Sequence, residues 1–230
     1  MQLGRRFQPS SIAPMRSKAP TMPHLIGGRA PGPSVPDVQT PPSVVGVEAS
    51  YFSVEDGAAL FDAEAAGHAD SGLVGRTRRS AVITTGVEFG SVQVAVQAWH
   101  GGHWPGVPDL SDWDDVVEVP LVSETGKIMV FSPLEEIEPP LPILSLDGPG
   151  VYRLRVHVRG RDADRQRNAE VGDEMFLLQA WPSLSLVDAD LVMRLTDQTG
   201  LGVRQSLIEW RHATAVAQAA ARVAEGPQQV

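Results

Sequence analysis

Residues Gly150–Gly160 read GVYRLRVHVRG, and residues Glu174–Pro182 read EMFLLQAWP. In the first stretch Tyr152, Leu154, Val156 and Val158 alternate with Arg153, Arg155, His157 and Arg159. A period of two sends successive side chains to opposite faces of an extended chain, so this is a half-buried β-strand with one apolar and one cationic face. The second stretch is apolar at nearly every position and closes on Trp181-Pro182. That pattern fits a strand covered on both faces and stopped by a residue that cannot donate to a ladder. Tyr152, Leu154, Val156, Leu178 and Trp181 are therefore the expected core.

Outward from this pair the same signals recur at short spacing. Extended segments are expected near 44–54, 80–85, 87–99, 115–123, 127–131 and 143–146, separated by Gly-, Pro- and Asp-rich turns. Gly86 reads as a hairpin turn between two of them. Pro120 lacks a backbone donor, which puts the 115–123 strand at a sheet edge. Seven or so short strands predict a mainly β fold, an antiparallel β-sandwich or jelly-roll-like barrel, over residues 43–183. Residues 1–42, rich in Pro, Ser and Gly with no sustained apolar period, are expected to be a disordered leader. Residues 184–230 are expected to form a C-terminal helical extension. It comprises a short helix over 186–199, a break at Gly200 and Gly202, and a helix over 203–225 whose weakly apolar face docks on the sandwich.

The 230-residue chain contains no cysteine, which removes disulfides, thiolate metal sites and cysteine nucleophiles. No apolar run approaches the about 20 residues needed to span a bilayer, and the N-terminus lacks a signal-peptide core; a soluble cytoplasmic protein is expected. Lys18 and Lys127 are the only lysines, a skew towards arginine that suggests a GC-rich bacterial genome. Residues 1–42 carry five basic side chains against Asp37, so residues 43–230 hold a net charge of about −13 within a total of −9. An acidic domain repels nucleic acid and attracts cationic surfaces.

Three clusters carry chemistry. Asp109, Asp112, Asp114 and Asp115 surround Trp113 within seven residues, without the alternating oxygens and mid-loop glycine of an EF-hand calcium loop. They read either as a solvated loop with its indole folded back or as a partner-binding hot spot against a basic cleft. His100 and His103, flanked by Trp99 and Trp104, could share a metal or hold a planar ligand, although a zinc site needs further ligands; a glycine-containing loop tip is the plainer reading. Arg153, Arg155 and His157, with Arg159 and Arg161, form a basic stripe suited to an anion or, more simply, to cross-strand pairing with Glu118. No serine-hydrolase elbow, phosphate-loop or dinucleotide motif is present.

The succession Ser50-Tyr-Phe-Ser-Val54, Val117-Glu-Val-Pro-Leu-Val122, Thr125-Gly-Lys-Ile128, Gly148-Pro-Gly-Val-Tyr152 and Glu174 to Trp181 resembles the competence protein J family. That resemblance, over residues 44–183, implies a small acidic protein that binds and inhibits a DNA-entry nuclease. The leader, the C-terminal helix and the His100/His103 loop fall outside it. The resulting expectation is a non-enzymatic acidic binding protein, an inhibitor- or immunity-type partner of a basic protein such as a nuclease or toxin, with no cofactor. The alternatives are a metal- or histidine-dependent enzyme centred on His100 and His103, and a sandwich that binds carbohydrate or another small ligand through Trp99, Trp104 and Trp113.

Overall fold

The alternating strand at 150–159 lies inside a sheet, with a partner on each side. The computed structural model describes residues 33–57, 69–163, 167–169, 173–183 and 189–225, all within the unit Pro31–Val230. Among them, thirteen strands form one hydrogen-bonded sheet: β1 (Val38–Gln39), β2 (Ser43–Glu48), β3 (Tyr51–Asp56), β4 (Val74–Arg76), β5 (Ser80–Thr84), β6 (Val87–Ala98), β7 (Asp115–Ser123), β8 (Ile128–Phe131), β9 (Ile137–Glu138), β10 (Gly150–Arg159), β11 (Arg167–Ala169), β12 (Met175–Pro182) and β13 (Leu191–Leu195). A 28-residue helix, α1 (Gln198–Glu225), follows. The main path runs β13-β7-β10-β12-β6-β2-β3-β5-β4. No described helix is long and apolar enough to cross a membrane.

Register explains the core. Leu154 stands opposite Val119 and Ala180, and Val156 opposite Val117 and Leu178; Leu178 and Ala180 in turn face Val96 and Ala98 of β6. These side chains form rows across four strands on one face of the sheet and are all buried, as are Tyr152 and Trp181. Phe52 of β3 meets Phe176 of β12 edge-on, with ring centroids 5.1 Å apart, so the β2–β3 side of the sheet curls over the rows. Of the core expected from the sequence, Tyr152, Leu154, Val156 and Leu178 belong to the observed apolar core, whereas Trp181, opposite Arg153 in the register, is buried on the other face of the sheet.

The arrangement of the sheet differs from the expected sandwich. The sheet is mixed, because β6 runs parallel to both β12 and β11, and it curls into a half-barrel rather than splitting into two antiparallel layers. Its bend lies at the β2–β3 turn, where Ala49 and Ser50 have φ of 52° and 63°. Two successive positive φ values reverse the chain within two residues. The strands then part after the single pair Glu48–Tyr51, β2 joining β6 and β9, and β3 joining β5 and β8.

Other expectations change with it. β5 and β6 are not a hairpin about Gly86; a Cβ there would lie 2.2 Å from the Arg161 carbonyl oxygen, so this glycine permits a close approach rather than a turn. β7 is not an edge, since β13 lines its other side. β13 pairs only with Asp115–Glu118, and further along Val122 donates its N–H to Arg78 O at 2.8 Å. Pro120 lies between these attachments on the same outward-directed side, where a missing donor breaks no ladder bond. Of the expected leader, residues 1–32 lie outside the described residues. Residues 33–42 are attached to the sheet: β1 pairs with β6 and the Trp99 indole donates to Ser34 O at 2.9 Å. The 58–68 stretch also lies outside the described residues.

The C-terminal expectation changes most. In place of a helix over 186–199 the chain forms β13, and 186–188 lie outside the described residues. Helix α1 runs straight through Gly200 and Gly202. Its first turn is fixed by Asp197 Oδ1, which accepts from Gly200 N at 2.7 Å, and by Asp162, which accepts from Gln198 N and Thr199 N at 2.9 and 2.8 Å. A Cβ on Gly200 would come within 2.8 Å of the Arg161 guanidinium, so glycine is required by packing despite its helix cost. The first turns dock, Arg204 donating to Ser71 O at 2.8 Å, and further along Arg211 pairs with Asp70. Of the expected apolar face, Val203 and Leu207 are half-buried, whereas Trp210 is 59% exposed and Ala217 and Ala220 are also exposed, so the face is covered only at its start.

Candidate functional site

The acidic loop is divided by the fold. Asp109 and Asp112 are exposed, and Asp109 Oδ1 accepts from Ser111 N at 2.9 Å, a contact that holds its carboxyl below the usual range. Trp113 is half-buried, edge-on to His157 at 5.1 Å and beneath the Arg159 guanidinium at 5.6 Å. Asp114 accepts from Gly160 N at 2.8 Å. Asp115 is fully buried: Arg161 donates to it at 2.8 Å and to Asp197 at 2.6 and 2.9 Å. Burial raises the Asp115 carboxyl despite the opposing charge of Arg161. Two carboxylates of the expected hot spot therefore face solvent, one has an internal contact, and Asp115 is internal, so the expectation of Asp115 as a partner-facing residue is corrected. Arg161, from the basic stripe, is equally internal, with further bonds to the carbonyls of Gly72 and Thr84.

The histidine loop is a surface loop. His100 and His103 stack with ring centroids 6.0 Å apart, and His100 Nε2 lies 3.1 Å from Asp37 Oδ1. The loop is pinned from outside by Asp147, which accepts from Gly101 N, and by Asp37, which accepts from His100 N. Among the described residues no three His, Cys, Asp or Glu side chains converge as a metal site. Trp99 is buried. Trp104 is half-buried and lines the cavity described below.

The basic stripe becomes a covered polar row. Register aligns Leu191, Glu118, Arg155, Gln179, Gln97 and Gln39 across six strands on the face opposite the apolar core. Glu118 Oε1 accepts from Arg153 Nε at 2.8 Å, and its Oε2 accepts from Arg155 Nε and Nη2 at 3.1 and 2.9 Å. Arg155 Nη1 donates to Gly106 O at 3.0 Å and to Gln179 Oε1 at 3.3 Å; Gln179 in turn donates to Gln97 Oε1 at 2.7 Å. Because Gln179 Oε1 is an acceptor, His157 Nε2, 3.1 Å away, must carry the proton, which leaves buried Nδ1 as a bare lone pair. Burial pushes the His157 imidazole down to about 4; the Gln179 hydrogen bond opposes this and the Arg155 charge adds to it. The stripe expected to face solvent on a half-buried strand is therefore sealed: Arg153, Arg155 and His157 are 7%, 2% and 2% exposed. The cross-strand pairing with Glu118 is present.

This row opens at one place. A cavity of about 360 Å³ is lined by Trp104, Val107, Pro108, Leu110, Trp181, Leu191 and Met193, with Gly106, Glu118 and Arg155 completing it. The Arg155 guanidinium lies 4.9 Å over the Trp181 ring. Sequence reading named Trp104 and Arg155 as candidates for different reasons. It missed Trp181, Leu191 and Met193 as cavity residues because they come from β12 and β13, a pairing order that local periodicity does not encode.

No family model and no curated protein matches the chain. Among solved structures, ComJ, the inhibitor of the DNA-degrading activity of NucA from Bacillus subtilis, is similar to this chain with a TM-score of 0.44 and 10% identity, covering 64% of this chain and 98% of ComJ. The solved structure of crocagin biosynthetic gene J is similar with a TM-score of 0.32 at 13% identity over 64% of this chain and 99% of that one. At these scores the relation is a weak structural likeness and carries no functional argument.

Proposed function

We propose that this protein acts by binding rather than catalysis, as an acidic partner of a cationic protein, with a basic nuclease as the first partner to test. The observation that supports this reading is charge that the fold leaves unmatched. The buried guanidiniums of Arg153, Arg155 and Arg161 face six buried acids, Glu55, Asp56, Asp115, Glu118, Glu174 and Asp197, so the interior takes up about three of the roughly thirteen negative charges of residues 43–230 and about −10 is left outside it. Asp109 and Asp112 contribute to it at an exposed loop tip. Such a surface accelerates encounter with a cation and loses that advantage as salt screens it. The choice of a nuclease comes from the sequence resemblance to the competence protein J family.

The test measures DNA cleavage by a panel of purified basic nucleases with and without the full chain, and association kinetics with any nuclease that is inhibited. The expected result is stoichiometric inhibition of one member. Its association rate should fall at least about tenfold between low and high salt, and should fall further with Asp109→Asn/Asp112→Asn. Absence of inhibition across the panel, or inhibition with a salt-independent association rate, overturns the reading.

A further inference from the structure

We infer that the cavity between Trp104, Trp181 and β13 is a binding site for a small organic carboxylate with an apolar aromatic or aliphatic body. This goes beyond the proposed protein partnership, uses a different surface, and either can fail without the other. The walls set the body of the ligand: two indoles, Val107, Pro108, Leu110, Leu191 and Met193 offer almost only carbon. A cavity of about 360 Å³ falls in the range that encloses small ligands, which are held by apolar walls and a few oriented polar groups.

The floor sets the head group. Glu118 divides its carboxylate between two guanidiniums, so Arg155 holds one oxygen, Oε2, rather than the bidentate pair its fork can grip. The other acceptors around Arg155 are neutral: Gly106 O, Gln179 Oε1 and the face of Trp181. Nη2 uses one of its two hydrogens on Glu118, and among the described residues no oxygen accepts the second. Glu118 Oε2 already accepts two donors from Arg155 and Oε1 one from Arg153, so the strongest unused capacity of the floor is a donor on a buried cation. Burial draws the Arg155 guanidinium below its ordinary pKa, with Glu118 opposing, so an added anion would relieve a desolvated charge. A single carboxylate matches one remaining N–H beside an existing carboxylate; a dianionic phosphate would meet Glu118 repulsion without enough donors. The exposed side chain of Val107, 88% accessible, marks the rim on which entry can be altered without touching the core.

The test titrates the full chain with 3-phenylpropionate, octanoate and the neutral 3-phenylpropanamide, following tryptophan fluorescence and, independently, calorimetry. The carboxylates are expected to saturate with a Kd of about 1 mM or tighter, and the amide to bind at least about tenfold more weakly. Arg155→Met should abolish the preference for acid over amide. Because that variant removes a buried network, Val107→Glu supplies an arm at an 88% exposed position that leaves the fold intact: the lost wall contact weakens acid and amide alike, and the added charge should cut carboxylate affinity several-fold more than amide affinity. Equal binding of acid and amide, no saturation by either carboxylate, or carboxylate binding indifferent to Val107→Glu overturns the assignment.

Discussion

His157 gives this fold an acid sensitivity of its own. Its imidazole is 2% exposed and titrates near 4, against 6.5 in an unfolded chain. Between those values the unfolded chain binds a proton that the native protein excludes, so stability rises with pH across this window. The contribution is complete above about pH 6.5 and is lost as pH falls towards 4. A displacement from 6.5 to about 4 amounts to about 3 kcal/mol. The assay is urea unfolding of the wild type and His157→Gln at pH values from 7.5 down to 4.5, with the free energies compared as a difference. Glutamine can retain a hydrogen bond with Gln179 but cannot titrate. Whatever the substitution costs at neutral pH, the wild type should lose about 2 to 3 kcal/mol more than the variant on acidification. Carboxylate effects are common to both proteins and cancel. Asp56 is one such group: burial opposes its ionisation, but donors from Ser123, Glu124 and Thr125 outweigh that and hold its carboxyl low, so its loss comes at more acidic pH. Parallel pH profiles for the two proteins would refute the buried, neutral assignment of His157.

Two further outcomes test the fold. Leu154→Ala removes a side chain packed between the Val119 and Ala180 positions and should cost about 2 to 5 kcal/mol, read as a lower denaturant midpoint; a near-neutral midpoint would place the strand in the wrong phase. Gly86→Ala puts a Cβ 2.2 Å from the Arg161 carbonyl oxygen and 2.6 Å from Glu174 Oε1. The backbone must shift, and thermal unfolding should reveal a loss of at least about 1 to 3 kcal/mol, whereas an unchanged melting temperature would remove the close approach.

The strands were legible because period-two alternation is local and the core needs only one face per strand. Tyr152, Leu154 and Val156 point inward by phase alone, and their neighbours on β7 and β12 follow from register. What alternation does not encode is the order of strands. Nothing within residues 80–98 distinguishes a hairpin from two strands that diverge to different partners, and the glycine suggesting a turn serves instead to admit the Arg161 backbone. The helix boundary failed for the same reason. Gly200 carries a propensity cost that an isolated segment would not bear, but the chain there docks against Arg161, Asp115 and Asp197, and tertiary packing outweighs about 1 kcal/mol of propensity.

The basic stripe shows why charge pattern alone misplaced the site. Alternation with arginine predicts a solvated face, because a buried guanidinium without a partner is costly. Glu118 removes that objection, and its position opposite Arg155 in the register makes the pair available as soon as β7 and β10 align. Cover then comes from distant chain: β13 runs along β7, and Gly106, from the loop after the two histidines, supplies a carbonyl to Arg155. Once covered, the row ceases to be a surface for macromolecular anions and becomes the floor of a small cavity with Trp104 and Trp181 for walls. The same burial matches Arg153, Arg155 and Arg161 with internal acids, which leaves the outer charge of the domain acidic. The two proposals thus draw on different parts of one charge distribution: a cationic protein would be selected by excess carboxylate outside, and a small apolar acid by an incompletely gripped guanidinium within.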